Sequence, residues 1–260
     1  MMQVQLIRHA TLRVSIGGHT FLIDPMFSAK EAMEPIQNAS NTLRIPMVPL
    51  PFSANEILKD VEAVLVTHTH RDHWDDAATE AIPKAMPIIC QPEDAAKFGV
   101  WGYTDVRPCS TELQFDGVTV ARTAGQHGTG EIGRKMAPVS GFVLRTIGSP
   151  SIYIAGDTIY CPEVESALQK HRPDITVVNA GAAQFTSGGP ITMNALDVAK
   201  VCGYATETSV IAVHMEAINH CFLRRDDLDR ELKNYRLRER VAIPCDGEMV
   251  EFEERQESIA

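Results

Sequence analysis

Residues 4–7, 12–16 and 20–23 are short β-branched or apolar runs set among polar positions, and Gly17-Gly18 supplies a turn between the last two. The chain is therefore expected to open as a meander. Residues 26–56 carry Pro35, Pro46, Pro49 and Pro51 and read as a long irregular excursion, of the kind that is either functional or mobile. Residues 61–66 are continuously apolar, as in a strand buried on both faces. The second half repeats the rhythm. Strands are expected at 118–123, 142–146, 151–155, 175–178 and 210–213, with a helix opened by proline at 162–170 and another near 193–201. Residues 225–239 form an amphipathic pattern with Leu228, Leu232 and Tyr235 on one face and Asp226 four positions before Arg230. A meander followed by alternating strands and helices predicts an α/β (α+β) chain of two packed sheets with helices outside, as one domain over 1–260.

Charge narrows the partners. With 24 Lys and Arg against 34 Asp and Glu, neither a long nucleic acid nor an anionic membrane surface is expected to bind. No basic, apolar leader pattern and no bilayer-length apolar run is present, so the expected location is the cytoplasm. Six cysteines (Cys90, Cys109, Cys161, Cys202, Cys221, Cys245) are scattered without a CxxC pair. That argues against a disulfide framework or a thiolate zinc knuckle and makes most of them small core residues.

The chemistry concentrates in VTHTHRDHWDD, residues 66–76, at the end of the buried 61–66 run. His68, His70, Asp72 and His73 form H-x-H-x-D-H. Imidazoles packed this closely repel when protonated and lose hydration when buried neutral, whereas a divalent cation turns the crowding into ligation. His68 and His70 can reach one ion while Asp72 and His73 turn toward a second. Further donors stand where other strands end: His127 in AGQHG, Asp157 in YIAGDT and His214 closing VIAVH. Singly, each fits a structural hydrogen bond or a helix cap; together they complete a ligand set.

The order HTHRDH, His127, Asp157, His214 resembles the metallo-β-lactamase superfamily of dinuclear hydrolases over nearly the whole chain. The resemblance implies a four-layer αββα sandwich with one metal on His68, His70 and His127, the other on Asp72, His73 and His214, and Asp157 bridging. None of these positions is cysteine, unlike the antibiotic-degrading classes that use it. The segment RHATLRVSIGGHTFLIDPMFS resembles the opening His and Asp-Pro element of the branch holding L-ascorbate-6-phosphate lactonase, and ITMNALDVAKV is similar too. HMEAINHC after His214 departs from that branch. The resemblance implies a metal-bridging hydroxide, oriented by Asp72, attacking a lactone or ester carbonyl of a small molecule, an anionic one included. Two Zn²⁺ ions are expected, with Mn²⁺ or Fe²⁺ suiting the same N and O donors. A phosphodiesterase of the same superfamily is the alternative, followed by a metal-dependent redox or binding protein.

Around this set, Asp24 is expected to orient a ligating imidazole or to form a plain Asp-Pro turn. His9 and His220 are expected at the pocket or in structural hydrogen bonds. Arg71 and Trp74 lie inside the cluster and are open to substrate. His19 and His171 read as structural, and Arg122, Arg134 and Lys135 as solvated charge. Specificity is expected to come from the 26–56 excursion, the 128–138 segment and the turn after His214. A homo-oligomer is compatible with all of this.

Overall fold

A computed structural model of the chain describes residues 1–254; the end of the expected domain, 255–260, lies outside the described residues. The first sheet holds β1 (Met2–Arg8), β2 (Thr11–Ile16), β3 (His19–Ile23), β4 (Ala63–Val66), β5 (Ile88–Cys90) and β6 (Val106–Pro108). The second holds β7 (Glu112–Phe115), β8 (Val118–Ala124), β9 (Ser140–Arg145), β10 (Ile152–Ile154), β11 (Ile175–Asn179), β12 (Ser209–Val213) and β13 (Val241–Ala242). The last strand, β14 (Met249–Phe252), returns to pair antiparallel with β1. Each sheet is half antiparallel and half parallel: β1 to β3 and β7 to β10 form meanders, while β3 to β6 and β10 to β13 run parallel.

Alternation decides which face of each strand meets which layer. Met2, Val4, Leu6, Leu12, Val14 and Phe21 face Val120, Phe142, Leu144, Ile152, Ile175 and Val177 across the gap between the sheets. Each fully buried apolar side chain there contributes about 1.5–3 kcal/mol. The residues between them point outward. Leu22, Val64, Val66 and Ile88 pack with Ile57, Ala78 and Phe98, which belong to the helices α1 (Ala54–Leu58), α2 (Asp76–Ala81) and α3 (Ala95–Val100). A short helix, α4 (Gly130–Met136), precedes β9 and buries none of its side chains. On the other face Val143, Tyr153, Val178 and Ala212 pack against α5 (Pro162–His171), α6 (Ala195–Tyr204) and α7 (Arg225–Asn234). The result is the four-layer αββα sandwich of the metallo-β-lactamase fold. Among the described residues no helix is long and apolar enough to cross a membrane.

Several expectations change in detail. The strand expected from 61 begins at Ala63, because the Val61 amide is used to close the turn after α1 on the Leu58 carbonyl. The helix expected over 225–239 stops at Asn234, where Arg236 turns left-handed at φ 60°. Tyr235 is consequently exposed and not on the buried face, and Arg230 pairs with Asp227 in place of Asp226. His19 is the first residue of β3, beside Glu62, not part of the preceding turn. The 26–56 excursion does lack strands, yet it is fastened. The guanidinium of Arg8, fully buried, donates to the carbonyls of Met26, Ser28 and Val48. Burial lowers the pKa of Arg8 to about 10, so it stays charged at neutral pH.

Candidate metal centre

Every expected ligand lies at the same end of the sandwich, because the parallel strands of both sheets finish there. His68 follows β4, Asp157 follows β10 and His214 follows β12. His127 follows β8, an antiparallel strand whose end falls on that edge. His9 follows β1, and its carbonyl accepts from the His214 amide, so one backbone hydrogen bond ties the two sheets together at the site. After His68 the chain turns tightly: the amides of His73 and Trp74 both donate to the His70 carbonyl. Asp75 then caps α2 by accepting from Ala78 and also holds the Ser28 amide.

The side chains form two interlocking groups. His68, His70 and His127 offer nitrogens that lie mutually within 4.8 Å, and a carboxylate oxygen of Asp72 lies as close to nitrogens of His9, His73 and His214. Asp157 sits between them. Its Oδ2 is 3.4 Å from His127 Nε2 and 3.3 Å from His73 Nε2, and its Oδ1 is 3.2 Å from His214 Nε2. His68 Nε2 and His70 Nδ1 are 2.9 Å apart. The seven residues of the expected set are thus brought together.

The outer hydrogen bonds fix which nitrogens face inward. Asp24 only accepts, so His73 Nδ1–H donates to its Oδ2 at 2.8 Å and His73 Nε2 points at Asp157. Asp24 also takes the Thr67 amide and hydroxyl, each at 2.7 Å. That hydroxyl, its proton committed, accepts from His68 Nδ1 at 3.1 Å, leaving His68 Nε2 to the centre. His127 Nδ1 donates to the Ile191 carbonyl at 2.8 Å. Asp24 therefore orients two imidazoles and is not a plain turn residue. Asp24→Asn, which replaces an acceptor oxygen with an amide donor, should weaken metal binding about 10–100-fold with the fold kept; competition with a chelator of known affinity measures it.

Charge at the centre is unbalanced without a cation. Asp24, Asp72 and Asp157 are all buried. Burial alone would raise the Asp72 carboxyl, but the neighbouring imidazoles of His73, His214 and His9 hold it well below the usual carboxylate range. Asp157 behaves alike, with His214, His73 and His127 overcoming burial. Burial opposes charge on His73 too, yet Asp157, Asp24 and Asp72 drive it well above the ordinary imidazole value, so one proton serves three carboxylates. Meanwhile the buried Nε2 atoms of His73 and His214 have no hydrogen-bond partner. Inward lone pairs, orphaned nitrogens and excess buried carboxylate fit divalent cations, whose binding would displace that proton.

His9 joins the second group: its Nε2 is 3.3 Å from Asp72 Oδ2 and its ring lies 3.6 Å from that of His214. His220 and Arg71 line the adjoining cavity of about 320 Å³ with Ile36, Met136, Thr69 and the ligands. Ile36, Met136 and His220 come from the three segments expected to set specificity. Trp74 does not reach this cavity. It is buried among Phe98, Trp101 and Tyr103, and its indole N–H donates to Thr79, so it anchors the ligand loop to the core. Arg122 is bound to Ser140 and Glu93, and Lys135 to Glu131. One residue escaped the sequence reading: Asn179 donates to Asp157 Oδ1 at 2.6 Å. Its signal was the polar end of the apolar run ITVVN, the same signal that exposes His214.

Residues 19–215 match the family described as "Beta-lactamase superfamily domain". The UPF0173 protein YddR of Bacillus subtilis is 35% identical over 254 residues, covering 96% of this chain and 100% of its own. Other UPF0173 proteins, at lower identity, carry the name metal-dependent hydrolase. A crystal structure of a possible metal-dependent hydrolase from Veillonella parvula superposes with a TM-score of 0.93 at 35% identity, over 96% of this chain and 99% of that one. An isothiocyanate hydrolase from Delia radicum gut bacteria gives 0.92 at 38% identity, over 96% and 99%. The chain belongs to the metallo-β-lactamase superfamily, within its UPF0173 group of metal-dependent hydrolases.

Proposed function

We propose that the protein uses two divalent cations to hydrolyse a small molecule at an electrophilic carbon. The observation that carries this is Asp157, one carboxylate placed between two sets of inward-facing imidazoles. His68, His70 and His127 would hold one ion and Asp72, His73 and His214 the other, with Asp157 shared and Zn²⁺, Mn²⁺ or Fe²⁺ suited to the donors. Bound there, the ions would supply a water of lowered pKa and polarise the substrate.

The chain's own residues do the rest. Asp72, held ionised in reach of His9 and His214, orients the attacking water and takes its proton. Ile36 and Met136 give the cavity an apolar side for an organic substituent. A lactone or ester carbonyl fits this chemistry, and the likeness of residues 8–28 to the ascorbate-6-phosphate lactonase branch supports it. The 38% identity to an isothiocyanate hydrolase over the whole chain favours a second carbon electrophile, the central atom of an isothiocyanate. Water added there gives an amine and carbonyl sulfide. The six thiols, all free, suit a reducing compartment, and we place the protein in the cytoplasm.

The test is a panel of benzyl isothiocyanate, a small lactone, a p-nitrophenyl ester and bis(p-nitrophenyl) phosphate. Turnover of at least one carbon substrate is expected, abolished by chelation and restored by Zn²⁺ or Mn²⁺. Cleavage of the phosphodiester alone, or turnover that survives complete chelation, would overturn the reading.

A further inference from the structure

His220 is a residue the metal chemistry leaves unused. It lies in the turn that departs from the lactonase branch, six positions beyond His214, and it lines the metal cavity together with Ile36 and Met136. It is 5% exposed, and its Nδ1 is buried without a hydrogen-bond partner. A polar atom in that position costs stability unless a ligand uses it.

The ring is also held in place. The carbonyl of His220 accepts from the Gln184 amide, and the ring sits 5.8 Å from that of Phe185. Next to it, Asn219 clamps the turn to the excursion: its Oδ1 accepts from the Ile36 amide, and its Nδ2 donates to the carbonyls of Ile36 and Asn41. Asn41 Nδ2 returns a bond to the Asn219 carbonyl. The same clamp that places Ile36 in the cavity wall therefore places His220.

Resting on the hydrolytic reading above, we propose that His220 donates a hydrogen bond to the substrate heteroatom that gains negative charge as water adds to the carbon. The water oxygen bonds to carbon, the π pair moves onto sulfur, nitrogen or oxygen, and the water proton passes to Asp72. The imidazole N–H stays on His220 and stabilises the new charge. In either protonation state the imidazole keeps at least one N–H to donate. Arg71, at the same cavity, makes no ion pair among the described residues and adds positive potential there.

Three measurements on the metal-loaded protein decide it. In His220→Ala, kcat on whichever panel substrate the wild type accepts should fall about 10²–10³-fold, with KM nearly unchanged and metal content equal to wild type. His220→Gln, which keeps an N–H donor, should recover at least about tenfold of that loss. Independently of turnover, thiocyanate binding to the Co²⁺-loaded protein, read from its visible absorption, should weaken at least about fivefold in the alanine variant and recover in the glutamine variant. Unchanged kcat and unchanged thiocyanate affinity would overturn the role of His220, as would loss of metal. If the wild type turns over no panel member, the hydrolytic reading falls, and the thiocyanate measurement still decides whether His220 donates.

Discussion

Asp157→Ala should leave a folded protein that retains less than one metal ion per chain and hydrolyses its substrates more than about a thousandfold more slowly. Among the described residues no other carboxylate is paired with His73, His127 and His214 together. In the proposed centre its loss would remove a donor from both ion sites at once. Folding is affected less. Asp157 is a buried carboxylate held ionised by the imidazoles of His214, His73 and His127 against the cost of burial. Deleting it removes those interactions and the partner of the Asn179 amide, so the metal-free variant should stay folded and melt modestly below the metal-free wild type. Elemental analysis, initial rates and melting curves check the three parts. A variant that keeps two ions would remove Asp157 from the centre, and one that melts well below the apo wild type would make it a structural residue first.

The second large effect is on the wild type itself. Ions that bind the folded centre and not the unfolded chain stabilise by mass action, about 4 kcal/mol at a thousandfold excess over Kd. For a chain of this length each kcal/mol shifts the melting temperature by about 2–4 °C, so chelation should lower it by about 10 °C. The fold itself should survive, because the facing apolar layers of the sheets lie away from the ligand edge and are closed without metal. Circular dichroism of the chelated protein at 25 °C should therefore match the loaded form. Unchanged melting on chelation would mean that the buried carboxylates are satisfied by the protein alone.

How much of this was legible in the sequence follows from element length and from side-chain polarity. The candidate ligands stood out because His68, Asp157 and His214 are polar residues just past the ends of apolar strands, and together with the H-x-H-x-D-H spacing they complete one donor set. The sandwich was legible because alternation in the long strands β1, β2 and β8 separates an inner from an outer face. Strands of three residues, β5 and β6, carry too few positions to show a period, and residues 76–115 passed unread. Trp74 shows a different limit. An aromatic inside a ligand motif reads as a substrate contact, yet the residues that bury it, Phe98, Trp101 and Tyr103, lie far along the chain. The clamp of Asn219 on Ile36 and Asn41 is equally non-local, since it joins residues more than 170 positions apart. Only the fold could show that the excursion is a cavity wall.

The central claim is that one chain holds two metal ions on His68, His70, Asp72, His73, His127, Asp157 and His214. Elemental analysis of protein purified after metal-replete expression tests it most directly. About two ions per chain are predicted; one ion or fewer would contradict the account.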